Sequence, residues 1–125
     1  MIQCTQTFRS TSTKEKFILD CTATCQTKHI IYLLECATCD LQYIGQTKGQ
    51  LNKRMTNHRS DVKWKPNSSL SKHLSLTDHQ NNFDELKVTI IEHNSNWNNK
   101  SRLERESFWI RELNTFTPNG INKKN

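Results

Sequence analysis

The chain is short of apolar residues. Only 33% of its 125 residues are hydrophobic, so a single domain of this length can build a modest core and must draw stability from something else. No stretch approaches the roughly 18 consecutive apolar residues of a membrane-crossing helix, and no membrane partner is expected. The opening residues, MIQCTQTFRSTSTK, lack the apolar centre of a secretory signal. The expected location is therefore intracellular. Five cysteines in such a chain point to a reducing compartment, where thiols serve more often as metal ligands or buried side chains than as disulfides. Acidic residues are also scarce, with 12 Asp and Glu against 18 Lys and Arg, a formal charge of +6 and a pI of about 9.2. That balance favours a polyanionic partner. A merely soluble basic surface is the competing reading, and charge alone does not remove it. No recognition helix that would read specific bases is evident.

What is present is organised around HIIYLLECATCDLQYIGQT, His29 to Thr47. Ile30 to Leu34 is β-branched or bulky without a polar interruption, which reads as a strand covered on both faces. Leu41 to Ile44 reads as a second strand ended by Gly45. The connection is too short for a parallel crossover, so the pair should form an antiparallel hairpin. Tyr32 and Tyr43 would then share one sheet face. Two core tyrosines in an ordinary hairpin is the bland alternative.

The rest of the chain supplies partners for that hairpin. Residues 1–28 read as a polar lead-in, with a strand expected at Phe17 to Leu19, and residues 29–125 as the folded domain. Leu51 to Val62 has helical periodicity, with Leu51, Met55 and Val62 in a stripe and Arg54 and His58 one turn apart on its shoulder. Trp64 to Pro66 breaks that helix. Ser68 or Ser69 can cap a short helix through Leu74. Thr77-Asp78 is a turn between His73 and His79, and Asn81 to Asp84 a loop. Leu86 to His93 reads as the third strand. Ser101 is the expected cap of a last helix to Leu113, with Leu103, Trp109, Ile110 and Leu113 on one face. Glu106 falls near the middle of that apolar face. A carboxylate there is costly unless it is paired, coordinated or lining a cleft; a structural salt bridge, for instance to Arg54, is the plain alternative. Pro118 and Gly120 make a turn before Ile121-Asn122. The fold class expected is α/β, a small sandwich with a three-stranded antiparallel sheet flanked by helices.

The cysteines allow two arrangements. Cys36 and Cys39 form a Cys-x2-Cys pair that can meet His73 and His79. Alternatively, Cys21 and Cys25 could join Cys36 and Cys39 in a small zinc ribbon, although Cys-x3-Cys is the less usual spacing.

Taken in order, Tyr32, Tyr43-Ile44-Gly45, Arg54, His58, Glu106 before Trp109-Ile110, and Asn122 after a proline-containing turn resemble the GIY-YIG nucleases. The first glycine of that pattern is missing, since Ile30-Ile31-Tyr32 stands in its place. The likeness covers about Ile30 to Asn122. It is greatest to the branch at the C-terminus of Penelope-like retroelements, whose proposed zinc site is matched by Cys36, Cys39, His73 and His79. No reverse transcriptase precedes the domain, so the expectation is a free-standing copy or an excised piece, with a fused or separate reverse transcriptase as a partner and a nuclear location.

The resemblance implies an endonuclease hydrolysing DNA phosphodiesters to a 5′ phosphate and a 3′ hydroxyl. In that reading Tyr32 acts as base or relay, assisted by His58. Tyr43 orients phosphate or water. Arg54 offers parallel donors to phosphoryl oxygens. Glu106 holds one hard divalent ion, Mg²⁺ or Mn²⁺. Asn122 holds the phosphate or stabilises the cleft. Zn²⁺ on Cys36, Cys39, His73 and His79 would be structural, a closed tetrahedron without an open position. Two rival classes remain at this stage: a zinc-stabilised nucleic-acid-binding module without catalysis, and an RNA-binding or structural protein.

Overall fold

The computed structural model describes residues 7–18, 26–37, 39–64, 69–74 and 86–122. Cys21, Cys25, Pro66, Thr77-Asp78, His79 and the loop from Asn81 to Asp84 lie outside the described residues. Eight elements follow one another: β1 (Thr7–Arg9), β2 (Lys16–Ile18), β3 (Ile30–Cys36), β4 (Gln42–Thr47), α1 (Leu51–Trp64), α2 (Ser69–Leu74), β5 (Leu86–His93) and α3 (Asn99–Leu113).

The main sheet has the order β4-β3-β5, both pairings antiparallel. Its centre is the run that looked covered on both faces: Ile30, Ile31, Tyr32, Leu33 and Leu34 have no exposed surface. Alternation sends them to two separate cores. Ile30, Tyr32, Leu34 and Cys36 pack with Leu51 of α1, Leu70 and Leu74 of α2, and Leu86, Val88 and Ile90 of β5. Ile31 and Leu33 pack instead with Ile44, Ile91, Ile110 and Leu113. Ile90 and Ile91 of β5 likewise alternate between the two cores, and a register shift between Ile31 and Tyr32 against β5 leaves Ile91 as the extra residue of a bulge.

Two boundaries and one side-chain placement differ from the sequence expectation. Gly45 does not end β4, which runs on to Thr47. Tyr32 pairs directly with Gly45, and a methyl group on Gly45 would overlap the Tyr32 ring and hydroxyl. The glycine is there to admit an aromatic ring, not to break the strand. The cap of α3 is Asn98, whose side chain accepts from Ser101 N at 2.8 Å; Ser101 is the capped residue rather than the cap. Leu103 is 48% exposed, so it does not share the buried face of Ile110 and Leu113.

The edge strand expected at Phe17 to Leu19 is present as β2, but it pairs with β1 in a two-stranded sheet of its own instead of joining the main sheet. Phe8 of β1 is buried, stacks on Phe17 at 5.2 Å and meets Trp109 edge-on at 5.7 Å. This hairpin is fastened to the main sheet through the buried Gln42, which accepts from Thr11 N at 2.9 Å and donates to Arg9 O at 2.8 Å.

Candidate active site

The strand register puts Tyr32 and Tyr43 on the same face, since Tyr43 pairs with Leu34 and Tyr32 with Gly45. Over that face lies α1, seated by the buried Leu51 and the half-buried Met55. Residues 54 and 58 are one turn apart on α1, so both side chains reach the two tyrosines. The Tyr32 hydroxyl lies 2.5 Å from His58 Nε2 and accepts from Arg54 Nε at 3.3 Å. The His58 ring is also edge-on to Tyr43, with ring centroids 5.9 Å apart.

Burial sets the protonation of this group. His58 is 5% exposed, and burial, with the Arg54 charge adding to it, lowers its pKa from 6.5 to about 4. The imidazole is therefore neutral at pH 7. In the tautomer with Nε2 unprotonated, the neutral ring accepts a hydrogen bond from the Tyr32 hydroxyl, while Arg54 donates to the same phenol oxygen. Burial pushes the Tyr32 hydroxyl well above its ordinary value, against the pull of Arg54. Burial raises Tyr43 as well. Neither phenol ionises unaided near neutral pH; what the geometry provides is a direct hydrogen bond between the Tyr32 hydroxyl and His58 Nε2.

Glu106 enters from α3, which packs along β4. Burial raises its carboxyl, opposed by Arg54 and Arg102, and its charge in turn acts on Tyr32 and Tyr43. Among the described residues it makes no ion pair with Arg54; the salt bridge on this helix is Arg105 to Glu92 at 2.7 Å. A salt bridge to Arg54, one form of the plain alternative, is thus not made among the described residues. A half-buried carboxylate without a direct cationic partner among the described residues is a suitable hard oxygen donor for Mg²⁺, which takes one or two carboxylates and completes its shell with water and phosphate.

Asn122 is placed differently from the others. It is 7% exposed, and its side chain brackets Ile44 like a neighbouring strand: Oδ1 accepts from Ile44 N at 2.8 Å and Nδ2 donates to Ile44 O at 2.9 Å. Thr115 Oγ1 donates to the same Oδ1 at 2.7 Å. Both polar ends of the amide engage backbone or Thr115, so the geometry fits stabilising the cleft better than holding phosphate. Ile44 lies between Tyr43 and Gly45, and the clamp fixes that tripeptide.

A separate cluster joins the turn after β3 to α2. Ligand atoms of Cys36, Cys39 and His73 all lie within 4.8 Å of one another, with Cys39 Sγ 3.4 Å from His73 Nε2. Tetrahedral zinc with bonds near 2.3 Å to sulfur and 2.0–2.1 Å to nitrogen needs its ligand atoms roughly 3.5–3.8 Å apart. Two thiols and an imidazole gathered within 4.8 Å are chemically suited to zinc and could close onto one ion.

The sequence reading missed two charged residues here. Asp61 acts electrostatically on Tyr43, Arg54 and His58; its position three after His58 and seven after Arg54 was the available signal. Arg102 is 5% exposed and donates to Gln46 Oε1 at 2.5 Å and Asn99 Oδ1 at 2.6 Å. It stands one turn before Glu106, on the same helix face.

No helix of the described residues is long and apolar enough to cross a membrane. The family described as the GIY-YIG catalytic domain matches residues 28–122. Among solved structures, the catalytic domain of the homing endonuclease I-TevI is 28% identical, with a TM-score of 0.63 over 78% of this chain and 100% of that one. A point-mutant form of the catalytic domain of intron endonuclease I-TevI is 25% identical, with a TM-score of 0.57 over 77% of this chain and 93% of that one. No curated protein matches the chain.

Proposed function

The chain belongs to the GIY-YIG catalytic-domain family, and from that premise we propose that it is a divalent-metal-dependent endonuclease that hydrolyses DNA phosphodiesters, leaving a 5′ phosphate and a 3′ hydroxyl. The observation that carries this reading is the contact of Tyr32 with His58 at 2.5 Å and with Arg54 at 3.3 Å on one phenol oxygen.

Tyr32 takes a proton from the attacking water as its own passes to His58 Nε2. Because His58 is neutral at pH 7, the acceptor is ready without a prior deprotonation. Arg54 steadies the phenol oxygen through Nε, leaving its terminal nitrogens to meet the phosphoryl oxygens, where charge accumulates in the transition state. Tyr43, edge-on to His58, orients the phosphate or the water. Glu106 is the ligand for Mg²⁺ or Mn²⁺, which when bound would stabilise the departing 3′ oxygen. Asn122 holds Tyr43-Ile44-Gly45 in register.

Cys36, Cys39 and His73, with His79 as fourth ligand, would hold a structural zinc, which when bound would tie the β3–β4 turn to α2. That cluster also supports membership of the Penelope-like retroelement branch, with a fused or separate reverse transcriptase as partner and action in the nucleus.

The test is nicking of supercoiled plasmid at matched salt with Mg²⁺ and with EDTA. Nicks that appear with Mg²⁺, vanish with EDTA and can be sealed by DNA ligase support the reading, because sealing requires a 5′ phosphate and a 3′ hydroxyl. DNA binding without cleavage in either Mg²⁺ or Mn²⁺ would replace it with an inactive zinc-stabilised binding module.

A further inference from the structure

Arg102 takes no part in the proton path above, yet it is among the most buried charged groups of the described chain, at 5% exposure. Its guanidinium reaches three places at once. Nε donates to Gln46 Oε1 at 2.5 Å, one terminal nitrogen donates to Asn99 Oδ1 at 2.6 Å, and the other lies 3.4 Å from His29 Nδ1. These hydrogen-bond partners are two amides and an imidazole. A buried cation held mainly by neutral groups is costly, and an apolar side chain of similar length would fill the space more cheaply. What the arginine adds is geometry: a rigid planar fork with five donors that can fix three elements together.

The three elements are those on which the cleft depends. His29 immediately precedes β3, three residues before Tyr32. Gln46 immediately follows Gly45 in β4, opposite Ile31. Asn99 opens α3. Glu106 follows Arg102 at i+4, so it stands one turn along the same face, and Arg102 acts on it electrostatically. α3 also meets the sheet through Ile110 and Leu113 further along, both buried. Arg102 fastens the end of the helix that these apolar contacts leave loose.

We propose that Arg102 is a positioning residue of the cleft, fixing the first turn of α3 to the ends of β3 and β4 and so setting where the Glu106 carboxylate presents its oxygens to a divalent ion. This rests on Glu106 as the metal ligand. Removing a group that orients a metal-binding carboxylate typically weakens metal affinity about 10–100-fold. The same loss should appear in turnover rather than in DNA binding, which depends on Lys and Arg contacts to phosphate at the surface.

The experiment uses Tb³⁺ as a hard-cation probe on the whole, DNA-free chain, with its luminescence excited through tyrosine. The signal belonging to the cleft is the part lost in Glu106→Gln. Arg102→Met should weaken that part about 10–100-fold. Arg102→Lys, which keeps the charge and a long stem but not the fork, should weaken it by a smaller factor and serves if the methionine variant does not fold. Both should lower kcat in Mg²⁺ while KM for DNA stays near wild type. If folded Arg102→Lys and Arg102→Met bind Tb³⁺ as wild type does while Glu106→Gln loses the signal, the role of Arg102 is overturned and Glu106 stands as the ligand. If Glu106→Gln also binds as wild type does, the metal assignment falls and this proposal falls with it.

Discussion

The two faces of β3 use alternate residues of the same seven-residue strand, and they are built from different materials. On one face Ile31 and Leu33 meet Ile44, Ile110 and Leu113, bordered by Phe8, Phe17 and Trp109. That core is dry, and its aromatic rings pack at centroid distances of 5.2–5.7 Å. On the other face Tyr32 sits among Ile30, Leu34 and Cys36, but its hydroxyl is held by His58 and Arg54, and the Cys36 end runs into the thiol and imidazole cluster. The first face tolerates change in proportion to volume. The second carries buried polar groups whose partners must all be in place. Loss on the first should therefore read out as stability, and loss on the second as chemistry.

The largest effect expected separates the two faces outright. Glu106→Gln and Arg54→Lys should each lower Mg²⁺-dependent nicking by ~10²–10³, equivalent to about 2.7–4 kcal/mol of transition-state stabilisation, with melting temperature and DNA binding near wild type. Leu33→Ala, at a fully buried position of the dry face, should do the reverse. It should cost about 2–5 kcal/mol of stability while nicking per folded molecule stays unchanged below the transition. Plasmid nicking beside denaturant unfolding makes the comparison. Equal nicking by wild type and Glu106→Gln would move the active site off this face.

The next effect follows from His58. Its pKa is about 4 in the folded chain against an ordinary 6.5. A group depressed by folding contributes stability that is whole above 6.5 and is lost as the pH falls towards 4. The gap corresponds to at most about 3 kcal/mol. Wild type should therefore lose stability across that window, and His58→Gln should lose less over the same range, measured by urea unfolding at several pH values. Parallel slopes for the two proteins would mean that the imidazole is not buried neutral.

The strand assignments were legible because their causes are local. The run Ile30 to Leu34 could not be amphipathic, and the short connection forced the hairpin. The three-stranded sheet and both long helices followed from the same kind of signal. The α1 side of the site was legible too, because residues 54 and 58 share a face by helix geometry alone. What escaped was set by contacts far apart in sequence. Gly45 reads as a strand end until Tyr32 is seen lying over it. Leu103 fits the apolar stripe of α3 by periodicity, but it stays exposed because the helix turns that side away from the cores formed by the described residues. Thr7 to Arg9 carries too few apolar residues to mark a strand, and its order comes from Phe8 docking on Phe17 and Trp109. Arg102 looked like one of many surface charges, since burial of a cation by an amide 56 residues away and an imidazole 73 residues away leaves no trace in spacing.

A moderate effect on stability would sharpen the comparison at the sheet itself. Gly45→Ala adds a methyl group where the Tyr32 ring lies. Overpacking of this kind typically costs about 1–3 kcal/mol. The ring can yield only by moving its hydroxyl away from His58 and Arg54, so nicking should fall further than the stability loss accounts for. A stable Gly45→Ala protein with wild-type nicking would show that the Tyr32 hydroxyl is not needed where it sits.

The smallest effect tests the one element that serves both faces. α3 belongs to the dry face through Ile110 and Leu113 and to the cleft through Glu106. Asn98→Ala removes the cap on Ser101 N and should cost about 1 kcal/mol by loosening the first turn. Ile110→Val, on the dry side of the same helix, should cost a similar ~0.5–1.5 kcal/mol. Matched in stability, the two should differ in activity. The looser first turn carries Asn99, which binds Arg102 at 2.6 Å, so Asn98→Ala should raise the Mg²⁺ concentration needed for half-maximal nicking while Ile110→Val leaves it alone. The first turn and Glu106 are then coupled through the helix, and the boundary between packing and chemistry runs along α3 rather than through the sheet. Identical Mg²⁺ dependence in both variants would put the boundary back at β3, with α3 acting as a rigid unit seated by its apolar residues.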